Sequence, residues 1–98
     1  MIYVKIHRSG NDILLAACDK EVLGNTLTDG EFCLNVDEKF YEDMLVDVEE
    51  LAELMAEATI ANLTGNEVVE KAVELGFVDK DCVMEISGVK HAQVVNII

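Results

Sequence analysis

The chain has no proline, few basic residues and no apolar run near membrane length. Each absence excludes something. With no proline, no internal repeat and no linker, the 98 residues read as a single domain spanning 1–98. A chain of that length buries roughly two-thirds of the surface its unfolded form exposes, enough for one modest core. No apolar stretch approaches the ~20 residues that a membrane helix needs. The start, MIYVKIHRSGND, turns polar after six residues, so it resembles neither a signal nor a transit peptide. A cytoplasmic protein without membrane contact is expected. The three cysteines, Cys18, Cys33 and Cys82, form no C-x-x-C and no Cys/His cluster, so no metal site and no cofactor is expected. Their apolar neighbours predict buried free thiols in a reducing compartment, with a redox or nucleophilic role as the lesser alternative.

What is abundant is acid. Twenty acidic residues against seven basic ones leave a formal charge of −13. Phosphate-backbone binding draws its affinity from clustered Lys and Arg, so nucleic acid is a disfavoured partner for the chain as a whole. Three explanations fit: a solvated surface, a salt-rich cytoplasm that screens self-repulsion, or a patch meeting a basic protein. The acids are spread along the chain, which favours the first two. Hydrophobic residues make up 51%, which excludes disorder.

Period-two alternation in IYVKIHR, residues 2–8, predicts a strand, and ILLAAC, 13–18, a more buried one, joined through SGND as a hairpin. Asp19 reads as the N-cap of a short turn ended by Gly24, and EFCLNV as an extended segment after a turn at Asp29-Gly30. DEKFYEDML is ambiguous, with one helical turn as an option. Asp47 and Glu50 form a capping box, and Val48, Leu51, Ala52, Met55, Ala58 and Thr59 make an apolar helical stripe that predicts a helix over 47–63. Glu49, Glu53 and Glu57 lie off that stripe as an acidic face.

T-G-N-E at 64–67 matches a second capping box, so "IANLTGNE" reads as a corner between the first helix and another over 65–75, ended by Gly76. On that helical reading Asn62 falls on the apolar stripe, where its amide must find partners. It either ties the helix end to a neighbour or lines a pocket. Residues 82–87 and 92–98 read as strands around Gly88. The fold expected is α+β: a four- to five-stranded, mainly antiparallel sheet with two consecutive helices on one face.

No G-x-S-x-G, P-loop or G-x-G-x-x-G occurs, and the glutamate pairs suit a solvated helix better than acid-base chemistry, so no catalytic residue is assigned. Lys5, His7 and Arg8 form one small basic spot, and Lys90 and His91, followed by Gln93, another. Should the first and last strands meet, these become a basic zone on an acidic protein. Phe40 and Tyr41 read as a core anchor or a partner contact.

DILLAACDKEVLGNTL at 12–27, FY at 40–41, ANLTGNE at 61–67 and GVKHAQV at 88–94 resemble an archaeal family of small proteins, the Domain of Unknown Function 424 family. The likeness covers nearly the whole chain. It implies a cytoplasmic archaeal protein and marks Asn62, Gly65, His91 and Gln93, but no chemistry. In one place the chain departs from the family's pattern: Lys90 stands where the family carries Pro before His, which loosens that loop.

The leading expectation is a non-enzymatic interaction module that presents Glu49, Glu53 and Glu57 to a basic protein partner. The second is a ligand-binding protein or small enzyme with a site at Asn62, Thr64, Gly65, His91 and Gln93, and His7 or Arg8 holding an anion. The third is RNA contact through Lys5, Arg8 and Lys90. No pattern specifies an oligomeric state.

Overall fold

The computed structural model describes residues 1–95. Strands β1 (Ile2–Ser9) and β2 (Asp12–Asp19) form the expected antiparallel hairpin. A 3-10 turn at Lys20–Val22 leads to a separate hairpin, β3 (Thr26–Asp29) with β4 (Phe32–Asn35). The ambiguous segment resolves into a one-turn helix, α1 (Glu38–Tyr41), capped by Asp37, and a short strand, β5 (Met44–Val46). The Asp47/Glu50 capping box is present and opens a 3-10 turn that runs into α2 (Leu51–Glu57). Then follow β6 (Ile60–Thr64), α3 (Asn66–Glu74), β7 (Met84–Ile86) and β8 (Val89–Val95). The last three residues of the strand expected over 92–98 lie outside the described residues.

The main sheet has six strands in the order β5-β1-β2-β6-β8-β7, one or two more than expected. Every pairing is antiparallel except β2 with β6, the parallel seam at its centre. Helices α2 and α3 share one core with one face of this sheet: Leu51 and Met55 of α2 and Val68, Val69 and Ala72 of α3 meet Val4, Leu15, Ala61 and Leu63. The other face carries a second, smaller core, in which Ala16 and Cys18 meet Leu27, Val36 and Tyr41 from β3, the end of β4 and α1.

The helix expected over 47–63 stops six residues early. Ala58 is already extended, and Thr59 hooks the chain onto the start of β2. Its amide donates to the Ile13 carbonyl (2.8 Å), while its hydroxyl accepts from the Ile13 amide (2.8 Å). From there Ile60–Thr64 runs beside Leu14–Cys18. The alternation of Ala61-Asn62-Leu63-Thr64 spans only four residues directly after the helical stripe, which Asn62 also extends seven positions after Met55, so the segment reads as more helix. The two helices are therefore separated by a central strand, though they still lie on one face.

The second capping box is also replaced. Thr64 ends β6, and Gly65 occupies the N-cap position of α3. The cap comes from far away in sequence: Asp19, 6% exposed, accepts from the Glu67 and Val68 amides, each at 2.8 Å. A carboxylate against the free amides of a helix start satisfies two donors and complements the dipole. Asp19 makes no side-chain cap for its own turn, contrary to expectation. Gly65 has φ 130° and ψ 149°, a region essentially restricted to glycine. A Cβ there would collide with the Asp19 carboxyl carbon and stand 2.6 Å from its Cβ.

Gly65→Ala should therefore destabilise the protein by about 3 kcal/mol and Asp19→Ala by about 1–2 kcal/mol in urea unfolding. Because both act through one contact, the double variant should fall short of their sum by about 1 kcal/mol or more. Strict additivity would show that Asp19 and Gly65 are not coupled.

Candidate functional site

On the sheet face opposite α2 and α3, the register builds two rows of side chains. Tyr3, Cys18, Thr64, His91 and Met84 stand side by side across five strands. Lys5, Ala16, Asn62 and Gln93 form the adjacent row. Asn62, Thr64, His91 and Gln93, singled out from the sequence, thus share one face of two neighbouring strands. Asn62 reaches it as a strand residue and not, as expected, on a helical stripe.

Helix α1 lays Tyr41 over this grid. The phenol donates to Asn62 Oδ1 at 2.8 Å and lies 3.0 Å from Thr64 Oγ1, which lies 2.9 Å from His91 Nδ1. Proton counting orients the chain. A phenol has one proton, and that of Tyr41 goes to Asn62, so the Tyr41 oxygen accepts from the Thr64 hydroxyl. Thr64 has then spent its own proton and accepts from His91 Nδ1–H. The imidazole is thereby the Nδ1–H tautomer, and Nε2 keeps its lone pair. Burial lowers the His91 pKa below 6.5, with the Leu63 backbone pulling weakly the other way, so the ring is neutral at pH 7. Burial likewise raises the Tyr41 pKa, partly offset by Thr64, and keeps the phenol protonated.

No buried side-chain nitrogen or oxygen lacks a partner among the described residues. Nε2 of His91 makes no side-chain hydrogen bond among the described residues. The ring lines a pocket of about 220 Å³ with Cys82, Met84, Ala92 and Gln93. A neutral imidazole with one nitrogen pinned and the other free can accept a hydrogen bond or a proton, or ligate an ion.

Gly65 and Lys90 adjoin this centre through backbone: the Gly65 amide donates to the Lys90 carbonyl at 2.8 Å. Asn66, which in the sequence reads only as part of a cap, clamps the β7–β8 turn. Its amide donates to the Gly88 carbonyl (3.2 Å) and its oxygen accepts from the Lys90 amide (2.9 Å). Tyr41 reads in the sequence only as an anchor or a partner contact, since nothing in the spacing links it to Asn62. The cysteines divide: Cys18 is buried, its thiol pushed up to about 12 chiefly by burial and then by Asp19 and Glu42. Cys33 and Cys82 are exposed, contrary to expectation.

His7 and Arg8 stand apart. Strands β2 and β6 separate β1 from β8, so the joint basic zone does not form. The His7 ring stacks on Phe40 at 4.8 Å between centroids, with Nε2 2.8 Å from the Phe40 carbonyl, while Lys5 donates to the Lys39 carbonyl. Lys90 pairs with Glu70 at 3.4 Å.

On the other face, α3 and the β7–β8 hairpin enclose a groove of about 490 Å³. Val69, Val73 and Val83 supply its apolar lining, and Glu70, Glu74, Glu85, Lys80 and Lys90 its charges. Of the acidic residues expected as a partner face, Glu53 and Glu57 are exposed, while Glu49 pairs with Lys71 at 3.2 Å. Lys71 also reaches Glu74 at 3.7 Å, so acid runs from α2 across to the groove.

The profile of a family described as "Protein of unknown function (DUF424)" matches residues 7–97. The chain belongs to that family. A solved structure, an uncharacterized conserved protein from Methanopyrus kandleri, superposes with a TM-score of 0.84 at 26% identity, covering 98% of this chain and 91% of that one. The match supports a single compact domain of mixed α/β content for this chain. No curated protein matches the chain. Among the described residues no helix is long and apolar enough to cross a membrane, and no group of three or more His, Cys, Asp or Glu is placed to hold a metal.

Long-range ¹H–¹⁵N NMR should show the Nδ1–H tautomer of His91 at pH 7. Because its folded pKa lies below the unfolded 6.5, the unfolded chain takes up the proton first. The stability tied to His91 is complete above pH 6.5 and is lost as pH falls towards the folded value. Tyr41→Phe leaves Asn62 and Thr64 short of a partner and should cost about 1–3 kcal/mol. An Nε2–H tautomer would overturn the proton order.

Proposed function

We propose that the protein is a small interaction module that holds a basic, apolar-containing segment of a partner protein in the groove between α3 and the β7–β8 hairpin. The groove itself carries the reading. It joins three valines to a rim of three glutamates and two lysines, Lys90 paired with Glu70, on a chain of charge −13, and its volume of about 490 Å³ fits a few side chains. Leucine or valine side chains of the partner would lie on the valines, and its Lys or Arg would meet Glu70, Glu74 and Glu85. Opposite charge speeds encounter and selects the partner, while apolar burial supplies affinity. The exposed Glu53 and Glu57 extend the same field over α2. The cytoplasm, where such a partner would be met, is part of the proposal.

A second reading, binding of a small ligand, is supported by the convergence of Asn62, Thr64, His91 and Gln93. At about 220 Å³, the pocket beside them is smaller than the ~300–1,000 Å³ usual for organic ligands, which restricts the occupant to an ion or a few atoms. The RNA reading loses the joint basic patch on which it depended.

Tagged protein should capture a stoichiometric basic partner from nuclease-treated native extract. The triple variant Glu70→Lys, Glu74→Lys, Glu85→Lys should lose it, with unchanged far-ultraviolet circular dichroism. Equal capture by a folded triple variant would remove the groove from the binding surface.

A further inference from the structure

We propose that Cys82, Met84 and His91 form a binding site for a soft monovalent metal ion of the copper(I) class. The site lies on the sheet face opposite the groove and stands independently of the partner reading. Met84 and His91 are direct cross-strand partners in the antiparallel β7–β8 pair. Residues so paired project from the same face with Cβ atoms about 4.5–5.5 Å apart. Cys82 precedes Met84 by two positions and lines the same pocket as both. A cysteine, a methionine and a histidine thus line one small space. No carboxylate lines it.

That donor set selects its ion. Magnesium and calcium require oxygen ligands. Zinc takes thiolate, imidazole and carboxylate but has no use for a thioether. Thiolate with thioether is the combination that favours copper(I).

Two further observations point the same way. Met84 is 43% exposed on an edge strand, so burial does not account for a large apolar side chain at this position. His91 is only 6% exposed, and the hydrogen-bond chain through Thr64, Tyr41 and Asn62 fixes its tautomer. A metal-ligating histidine needs this arrangement: one ring nitrogen donating to a fixed acceptor, the other presenting its lone pair. The chain's negative charge raises the local concentration of any cation. On binding, Cys82 releases its thiol proton to solvent as the copper–sulfur bond forms. No electron is transferred, and copper stays in the +1 state.

The test is an anaerobic titration of the full chain with copper(I) buffered by bathocuproine disulfonate, alongside Cys33→Ser, Cys82→Ser and Met84→Leu. The unmodified protein and Cys33→Ser should each bind one equivalent. Cys82→Ser and Met84→Leu, both changed at exposed positions, should weaken binding by about tenfold or more. Thr64→Val, which frees the imidazole tautomer, should weaken it by about tenfold to a hundredfold. By ¹⁵N NMR, copper(I) should move His91 Nε2 and leave the Nδ1 proton in place. Binding unchanged in Cys82→Ser or in Met84→Leu, binding lost in Cys33→Ser, or an unmoved Nε2 would each overturn the site. Failure at this site would leave the groove untouched, since its own test reads the opposite face.

Discussion

Asp19 placed against the first amides of α3 is the contact on which the rest is arranged. It lies at the end of β2, and the helix it caps begins right after β6, so one carboxylate fixes the top of the parallel seam and the start of the helix. Gly65 makes the approach feasible by having no side chain. Burial raises the Asp19 pKa and the two amides pull it down, so the amides offset part of what burial costs the carboxylate. Once α3 is set, Asn66 follows immediately and holds the β7–β8 turn. That turn decides where His91 stands beside Thr64.

The sheet separates two kinds of chemistry. The face under α2 and α3 holds an apolar core and, at its margin, a groove rimmed by three glutamates and two lysines. The opposite face is only partly covered by α1 and the β3–β4 hairpin. Polar side chains enter its core in a connected order from Asn62 to His91. A buried polar chain is stable only when each member is satisfied. At the two ends of the chain, Asn62 Nδ2 and His91 Nε2 make no hydrogen bond among the described residues. A one-turn helix of four residues thereby sets the tautomer of a histidine fifty residues further along the chain.

Much of the architecture is legible in the sequence, because local rules and tertiary context agree there. The first hairpin shows as alternation around S-G-N-D, the Asp47/Glu50 box is real, and α3 begins and ends within a residue of its signals. Strand β6 is hard to read, since the alternation of Ala61 and Leu63 towards one core with Asn62 and Thr64 towards the other spans only four residues at the end of a helical stripe. The T-G-N-E pattern signals a helix start correctly but names the wrong cap, because the competing acceptor comes from a strand 49 residues away. Asn62, Thr64, His91 and Gln93 stand out in the sequence as polar residues in apolar surroundings, and they share one face of two paired strands, although Asn62 gets there from a strand and not from the expected helix. Their partner Tyr41 is not legible, since no spacing rule connects a loop aromatic to a distant sheet face. The basic spots fail for a topological reason: two strands lie between them.

The parallel seam has a consequence for how the chain acquires its shape. Strand β2 pairs on one edge with its immediate neighbour in sequence, a local contact, and on the other with β6, more than forty residues further along. The intervening hairpin, helices and edge strand must be made first, and pairing across so long a loop is slow. Until then Leu14–Cys18, the most buried strand of the finished sheet, presents an open row of backbone donors and acceptors to any other unfinished copy. Mutual repulsion between chains of charge −13 keeps those copies apart during that interval. The acid spread over the folded surface thus acts before there is a surface at all.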